Sequence, residues 1–191
     1  MSFVTIWLPP LAGFAIFLLR VKELGTKRKR VDGPVQEKLT FFLFLSAGTL
    51  LLAGSMFEYW YRGEHLRWGT FLPGVLCATA SFVLRRKAIA ALGEFWSLHI
   101  EIREAHAFVK SGPFRWMRHP TYFSMILEML AGALVMNAPL ALLASLLIFF
   151  PTLYYRVKME EAALIAKFGA GYQTYRERTP AIIPYKIPQA Q

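Results

Sequence analysis

Five apolar runs, at 3–19, 39–57, 71–84, 122–136 and 140–155, constrain this chain more than any other feature. Backbone amides in hydrocarbon must be satisfied internally, so segments of this kind enter lipid as helices. Several runs fall short of the ~20 residues that cross a bilayer, so tilt, interfacial ends or a partly re-entrant hairpin must make up the difference. Composition agrees: 55% of residues are hydrophobic and the mean hydropathy is positive, above the share typical of a soluble domain. The expected fold is all-α, a polytopic membrane helical bundle of about five transmembrane helices. No repeat or linker divides the chain. One domain over 1–191 is expected, with N-terminal transmembrane helices in 1–91 and a catalytic region in 92–188.

Lys and Arg are retained on the cytoplasmic side of a membrane. Between the first two runs lie Arg20, Lys22, Lys27, Arg28, Lys29, Arg30 and Lys38; between the third and fourth lie Arg85, Arg86, Lys87, Arg103, Lys110, Arg115 and Arg118. The second connection carries only Arg62 and Arg67, the fourth carries none, and the tail is basic again. This alternation predicts five crossings with the N-terminus outside. The net charge of +10 is accounted for by topology and by membrane lipids with anionic head groups, so no nucleic-acid partner is expected. The single Cys77 reads as a small core residue. No cleavable signal peptide is evident, since no basic segment precedes the first run.

Local patterns add detail. Pro9 and Pro10 should kink or split the first span, because proline deletes a donor and clashes with the preceding turn. Residues 136–139 make a tight break, so the last two spans should form an antiparallel hairpin. From Glu160 onward, Ala163, Leu164, Phe168, Tyr172 and Tyr175 recur at helical spacing and predict a C-terminal amphipathic helix at the cytoplasmic face. The proline-bearing stretch 179–188 should be extended, as should 96–103, where polar and apolar residues alternate. Pro120 suits the first turn of the fourth span. That puts Arg118 and His119 at a helix N-terminus, where free donors and the dipole favour an anionic ligand.

Chemistry concentrates in two polar clusters. Residues 92–120, LGEFWSLHIEIREAHAFVKSGPFRWMRHP, hold three His between apolar blocks, and 156–164, RVKMEEAAL, follow the last apolar run. Both should lie at one cytoplasmic membrane face and form a site at the mouth of the helical bundle. No metal site is inferred, because neither Cys nor His recurs at ligand spacing. Glu128 lies about two turns inside the fourth span, where an ionised carboxylate costs roughly 2.5–3.5 kcal/mol. It should be protonated, paired, or facing a polar cavity.

The order LGEFWS, HAFVKSGPFRWMRHPTY, a helical hairpin, then RVKMEEAALIAKFGAGYQTYRERTPAIIP resembles the isoprenylcysteine carboxyl methyltransferase family and its phospholipid methyltransferase relatives over roughly residues 92–184. The resemblance implies an integral membrane enzyme that uses S-adenosylmethionine to methylate a lipophilic acceptor entering from the bilayer, and it makes the two polar clusters a cytoplasmic cofactor-binding segment. It carries the family's cofactor positions onto His106, Ala107, Phe108, Val109, Phe114, His119, Pro120, Thr121, Tyr122 and Glu160, with a further contact at His99. Arg156 takes the place of the substrate-side arginine, as the catalytic residue. Phe114 stands where relatives often have tyrosine, which keeps a ring and removes a hydroxyl. A carboxylate acceptor of the isoprenylcysteine kind is the first reading; phospholipid ethanolamine, a small thiol, and a noncatalytic lipid-binding protein are the others. Each residue also has a plainer role: Arg156 and Glu160 suit an exposed i,i+4 ion pair, and His119 a helix cap.

Overall fold

The computed structural model describes residues 2–24, 39–93, 96 and 108–186. Among these lie helices α1 (Phe3–Leu24), α2 (Leu39–Tyr61), α3 (Trp68–Leu92), α4 (Pro120–Met136), α5 (Pro139–Phe168) and α6 (Ala170–Arg178), with a 3-10 turn at Gly112–Arg115. There is no strand among the described residues. The extended segment expected at 96–103 lies outside them except for Trp96, as does the basic run at 26–30.

Phe3–Glu23, α2 and α5 are long and apolar enough to cross a membrane. The 17 residues of α4 are apolar but span only about 25 Å at 1.5 Å per residue, short of the ~30 Å hydrocarbon core. In α3, the apolar stretch ends at Arg85, Arg86 and Lys87, yet the helix continues to Leu92. These cations therefore belong to a helix rather than to the connecting loop.

The first helix runs unbroken through Pro9 and Pro10, contrary to the expected kink or split as far as helix continuity is concerned. Two prolines deprive the carbonyls four residues back, at Thr5 and Ile6, of their helical donors. Tertiary partners replace them. The Leu66 N–H donates to the Thr5 carbonyl at 2.7 Å, and the Tyr59 hydroxyl donates to the Ile6 carbonyl at 2.7 Å. Both prolines are buried, so their rings also serve as core.

Packing pairs α3 chiefly with α4 and α2 chiefly with α5, while α1 lies mainly on α4. Without side-chain bulk at the contact, helices in lipid approach closely. At Gly74 a Cβ would stand 2.9 Å from the Val135 backbone nitrogen, and at Gly132 one would stand 3.1 Å from Leu51 Cδ2. Large apolar side chains such as Leu76, Leu143 and Leu147 point outward, as a lipid-facing surface requires.

The connection between α4 and α5 is the expected tight break, with Asn137 in the left-handed region at φ 51° and Pro139 opening α5. The two helices then take different main partners, so they are a hairpin in sequence more than in packing. Glu58, buried at the end of α2, accepts the Ala141 N–H at 2.9 Å and so caps α5. At its other end α5 continues past Glu160 to Phe168. The expected amphipathic helix is therefore two pieces, the last turns of α5 and the separate α6. Gly169, at φ +53°, makes the break because few side chains tolerate that backbone region.

Candidate functional site

A cavity of about 260 Å³ is bounded by α1, α2, α3, α4 and α5. Its α4 wall is one stripe, Thr121, Tyr122, Met125, Glu128, Met129 and Gly132, the three-to-four spacing of one helix face. Phe41, Phe44, Leu51 and Phe149 make the wall largely apolar. Two polar patches interrupt it. One holds Thr121, Tyr122, Arg156 and Glu160, the other Arg20, Arg85 and Glu128.

The first patch joins α4 to α5 through one phenol and α5 to α2 through Arg156. Tyr122, one turn into α4, donates its hydroxyl to Glu160 Oε2 at 2.6 Å and accepts from Arg156 Nε at 3.2 Å. Arg156 also donates from Nη1 to Thr40 Oγ1 at 2.7 Å, at the start of α2, where Thr40 is fully buried. Arg156 is itself buried at 6% exposure, so the reading of a solvent-exposed i,i+4 pair does not hold. Glu160 keeps 35% side-chain exposure while it lines the cavity, leaving its carboxylate accessible to a ligand.

His119 lies behind this patch, at 3% exposure. Its ring stacks on Tyr122 at 5.4 Å, Nδ1 is 3.7 Å from Glu160 Oε2, and Nε2 is 3.2 Å from Glu161 Oε1. Its φ and ψ of −125° and 63° make it the N-cap residue of α4, without a side-chain cap. Pro120 is buried as the first helical residue. The imidazole thus bonds Glu161 and stacks on the tyrosine ring, with Glu160 beside it, and does not itself line the cavity.

Arg118 does not offer a free cation at the helix N-terminus. It donates to Glu161 from Nε at 2.9 Å and from Nη2 at 2.6 Å, and to the carbonyls of Arg176 at 2.8 Å and Thr179. Arg176 Nε adds a second ion pair to Glu161 at 3.0 Å. The Arg118 and His119 N–H groups donate to Pro180 and Ala181 carbonyls at 2.8 and 2.9 Å. This lattice holds the residues after α6 against the start of α4. It also occupies Glu161, one of the carboxylates that a proton-abstracting mechanism would need.

The remaining predicted positions divide. Phe108 packs on Phe168, Tyr172 and Tyr175 with centroids 5.1, 5.5 and 5.7 Å away, and Val109 beside it is half-buried. Phe114 is buried, and its carbonyl accepts the Tyr175 hydroxyl at 2.7 Å. Burial raises the Tyr175 pKa, which keeps that phenol a donor. These residues tie the 108–115 segment to α6 and do not line the cavity. His99, His106 and Ala107 lie outside the described residues.

The second patch holds residues that sequence reading assigned elsewhere. Arg20 and Arg85 counted only as loop charges; both sit within helices and line the cavity. Arg85, at 2% exposure, donates to Ser124 Oγ at 3.0 Å, Ser81 Oγ at 3.3 Å, Glu23 at 3.0 Å and Glu128. Glu128 is thus both paired and facing a cavity, as its depth in the span required. The available signal was that Ser81 and Arg85 stand one turn apart on α3 while Ser124 and Glu128 stand one turn apart on α4, two polar pairs at helical spacing inside apolar runs.

Residues 74–166 match the model of the isoprenylcysteine carboxyl methyltransferase (ICMT) family. The chain is 25% identical over 162 residues to protein-S-isoprenylcysteine O-methyltransferase B of Arabidopsis thaliana, covering 81% of this chain and 82% of that protein. It is 29% identical over 115 residues to the Xenopus laevis protein-S-isoprenylcysteine O-methyltransferase, covering 59% of this chain but 40% of that one. It is also 31% identical over 138 residues to the cobalt-zinc-cadmium resistance protein CzcN of Cupriavidus metallidurans, covering 71% of this chain and 59% of that protein. Among solved structures, the eukaryotic intramembrane Ras methyltransferase ICMT superposes with a TM-score of 0.65 at 23% identity, over 74% of this chain and 52% of that one. The chain therefore spans most of the plant relative and about half or less of the frog protein and the solved structure. The family match reaches from α3 through the Glu160 turn of α5, over about half of the chain, and the superposition extends the likeness to the fold, so the chain is similar in sequence and in fold to the isoprenylcysteine carboxyl methyltransferase family.

Proposed function

We propose that the protein transfers a methyl group from S-adenosylmethionine to the carboxylate of a lipophilic, isoprenylcysteine-like acceptor. The observation that carries this reading is Arg156, buried in the wall of a largely apolar cavity and held by Tyr122 and Thr40. A guanidinium presents a planar fork suited to a carboxylate and cannot act as a base at neutral pH. A carboxylate needs no base. Amine methylation would, and the nearby carboxylates of Glu161 and Glu128 are each engaged by arginines, which favours the carboxylate over a phospholipid amine.

The residues present fit the cofactor's chemistry. Glu160 supplies an accessible carboxylate for a cationic or hydroxyl group, and Tyr122 supplies a flat ring fixed by His119. When bound, S-adenosylmethionine supplies a methyl group already activated on a sulfonium. The protein's part is to align the acceptor oxygen with that methyl and exclude water, and orientation of this kind contributes up to roughly 7–11 kcal/mol. Arg156 holds one carboxylate oxygen and leaves the other to attack. His106, Ala107, Phe108, Val109, Phe114, Pro120, Thr121 and His99 remain cofactor positions by family likeness. The chain acts as one domain with five crossings, the N-terminus outside and the site at the cytoplasmic face, as charge alternation suggests.

The test is labelled methyl transfer to isoprenylcysteine analogues and to total membrane lipids, with the product identified by mass. An ester product supports the reading; a methylated amine alone overturns it. Calorimetry on folded protein showing no response to S-adenosylmethionine or its demethylated product would remove the cofactor assignment.

A further inference from the structure

The Arg20 patch sits away from the methylation end. Six residues separate Tyr122 from Glu128 on α4, which at 1.5 Å per residue is about 9 Å along the helix. Arg20 and Arg85 face Glu23 and Glu128, two cations against two anions, so the group is neutral as a whole. Arg85 is enclosed at 3% side-chain exposure, whereas Arg20 and Glu128 keep 20% and 17%. Among the described residues, every polar contact of Glu128 falls on Oε2. Arg20 donates one hydrogen bond there, to Glu23 at 3.2 Å, with its Nε 3.9 Å from Glu128 Oε2. The cavity wall thus presents a carboxylate oxygen beside guanidinium donors.

These facts select among ligand groups. A pure hydrocarbon would cover both polar groups and replace none of their hydrogen bonds. A phosphate, carboxylate or ammonium would bring a net charge to a patch already neutral, with no counter-charge to compensate its desolvation. A neutral group that both donates and accepts meets the Glu128 oxygen and the Arg20 donors together. We infer that Arg20 and Glu128 form a second acceptor subsite, which takes a neutral hydroxyl or carboxamide carried on the acceptor's chain about 9 Å from the methylated atom. This rests on the reading of the Arg156 patch as the methylation end. It makes the natural acceptor an amphiphile with a second polar group carried on its lipophilic chain.

The probes are N-acetyl-S-dodecyl-cysteine and three analogues whose tail bears a hydroxyl, an ammonium or a carboxylate at that distance, together with their methyl esters. Methyl transfer is measured on the acids, and equilibrium binding of the esters is measured in nanodiscs, so that recognition is read without chemistry. The hydroxyl tail should lower KM and ester Kd at least tenfold relative to the plain tail in the wild type. In Glu128→Gln the preference, read as the ratio to the plain tail in the same variant, should move toward the carboxylate tail, and in Arg20→Gln toward the ammonium tail. A quartet that only braces α1 against α3 and α4 would affect all four tails alike, and that result overturns the inference. Transfer to the plain and hydroxyl acids with equal KM also overturns it and leaves the methyltransferase reading standing. Tighter hydroxyl-ester binding without transfer to any acid upholds the subsite and removes the carboxylate reading.

Discussion

Arg156→Lys gives the sharpest separation between carboxylate and amine chemistry. Arg156 donates to Tyr122 at 3.2 Å and to Thr40 at 2.7 Å from two different nitrogens; a lysine has one nitrogen and cannot hold both while reaching an acceptor. A hydrogen bond to a charged group is worth about 1.5–3 kcal/mol. Loss of one such bond to the acceptor carboxylate should therefore lower kcat/KM by about ten- to a hundredfold, at 1.4 kcal/mol per decade. The Tyr122 bond to Glu160, 2.6 Å long, does not involve the guanidinium, so cofactor affinity should change by less than about threefold, within the ~0.2–1 kcal/mol of a weak pair. The assay is steady-state methyl transfer against a carboxylate acceptor, with cofactor binding by calorimetry and the thermal midpoint as a folding control. The wild-type rate should show no rise through the ionisation of an acceptor ammonium. A folded Arg156→Lys protein that turns over the carboxylate within threefold of wild type would refute the argument, as would a robust amine substrate whose rate climbs with pH.

Other outcomes follow from single contacts. Tyr59→Phe removes the donor on the Ile6 carbonyl that Pro10 leaves without a helical partner, and should cost about 1–3 kcal/mol, read as a lowered thermal midpoint. Gly74→Ala places a Cβ 2.8 Å from Val135 Cγ1 and 2.9 Å from a backbone nitrogen, so overpacking should cost about 1–3 kcal/mol. Gly48→Ala, with nothing within 4 Å, should be neutral or slightly stabilising in the same melt. Glu161→Gln unpairs Arg118 and Arg176 and should cost about 3 kcal/mol, the low end for a broken buried pair because Arg176 is partly exposed. Limited proteolysis should then cut residues 179–186 faster than in the wild type, and unchanged cleavage would count against that pin.

The fold class was legible because hydrocarbon permits so few backbone structures: the apolar runs alone call for helices. Their spacing located α1, α2, α4 and α5 with only the ends misjudged, and the ends are where polar residues continue a helix whose apolar face has stopped. The order of the RHPTY and RVKMEE segments was likewise enough to place Tyr122, Arg156 and Glu160 in one family pattern. Tertiary structure alone decided the rest, since a charge count records sign and sequence position but no direction. Arg85 and Arg20 read as topology charges until α3 and α1 turned them onto Glu128. Arg118 read as an anion ligand until Glu161 and the carbonyls beyond α6 took its donors. Pro9 and Pro10 read as a break until Leu66 and Tyr59 supplied hydrogen bonds from other parts of the chain. In each case the deciding partner lies more than forty residues away, a separation that no local period or propensity records.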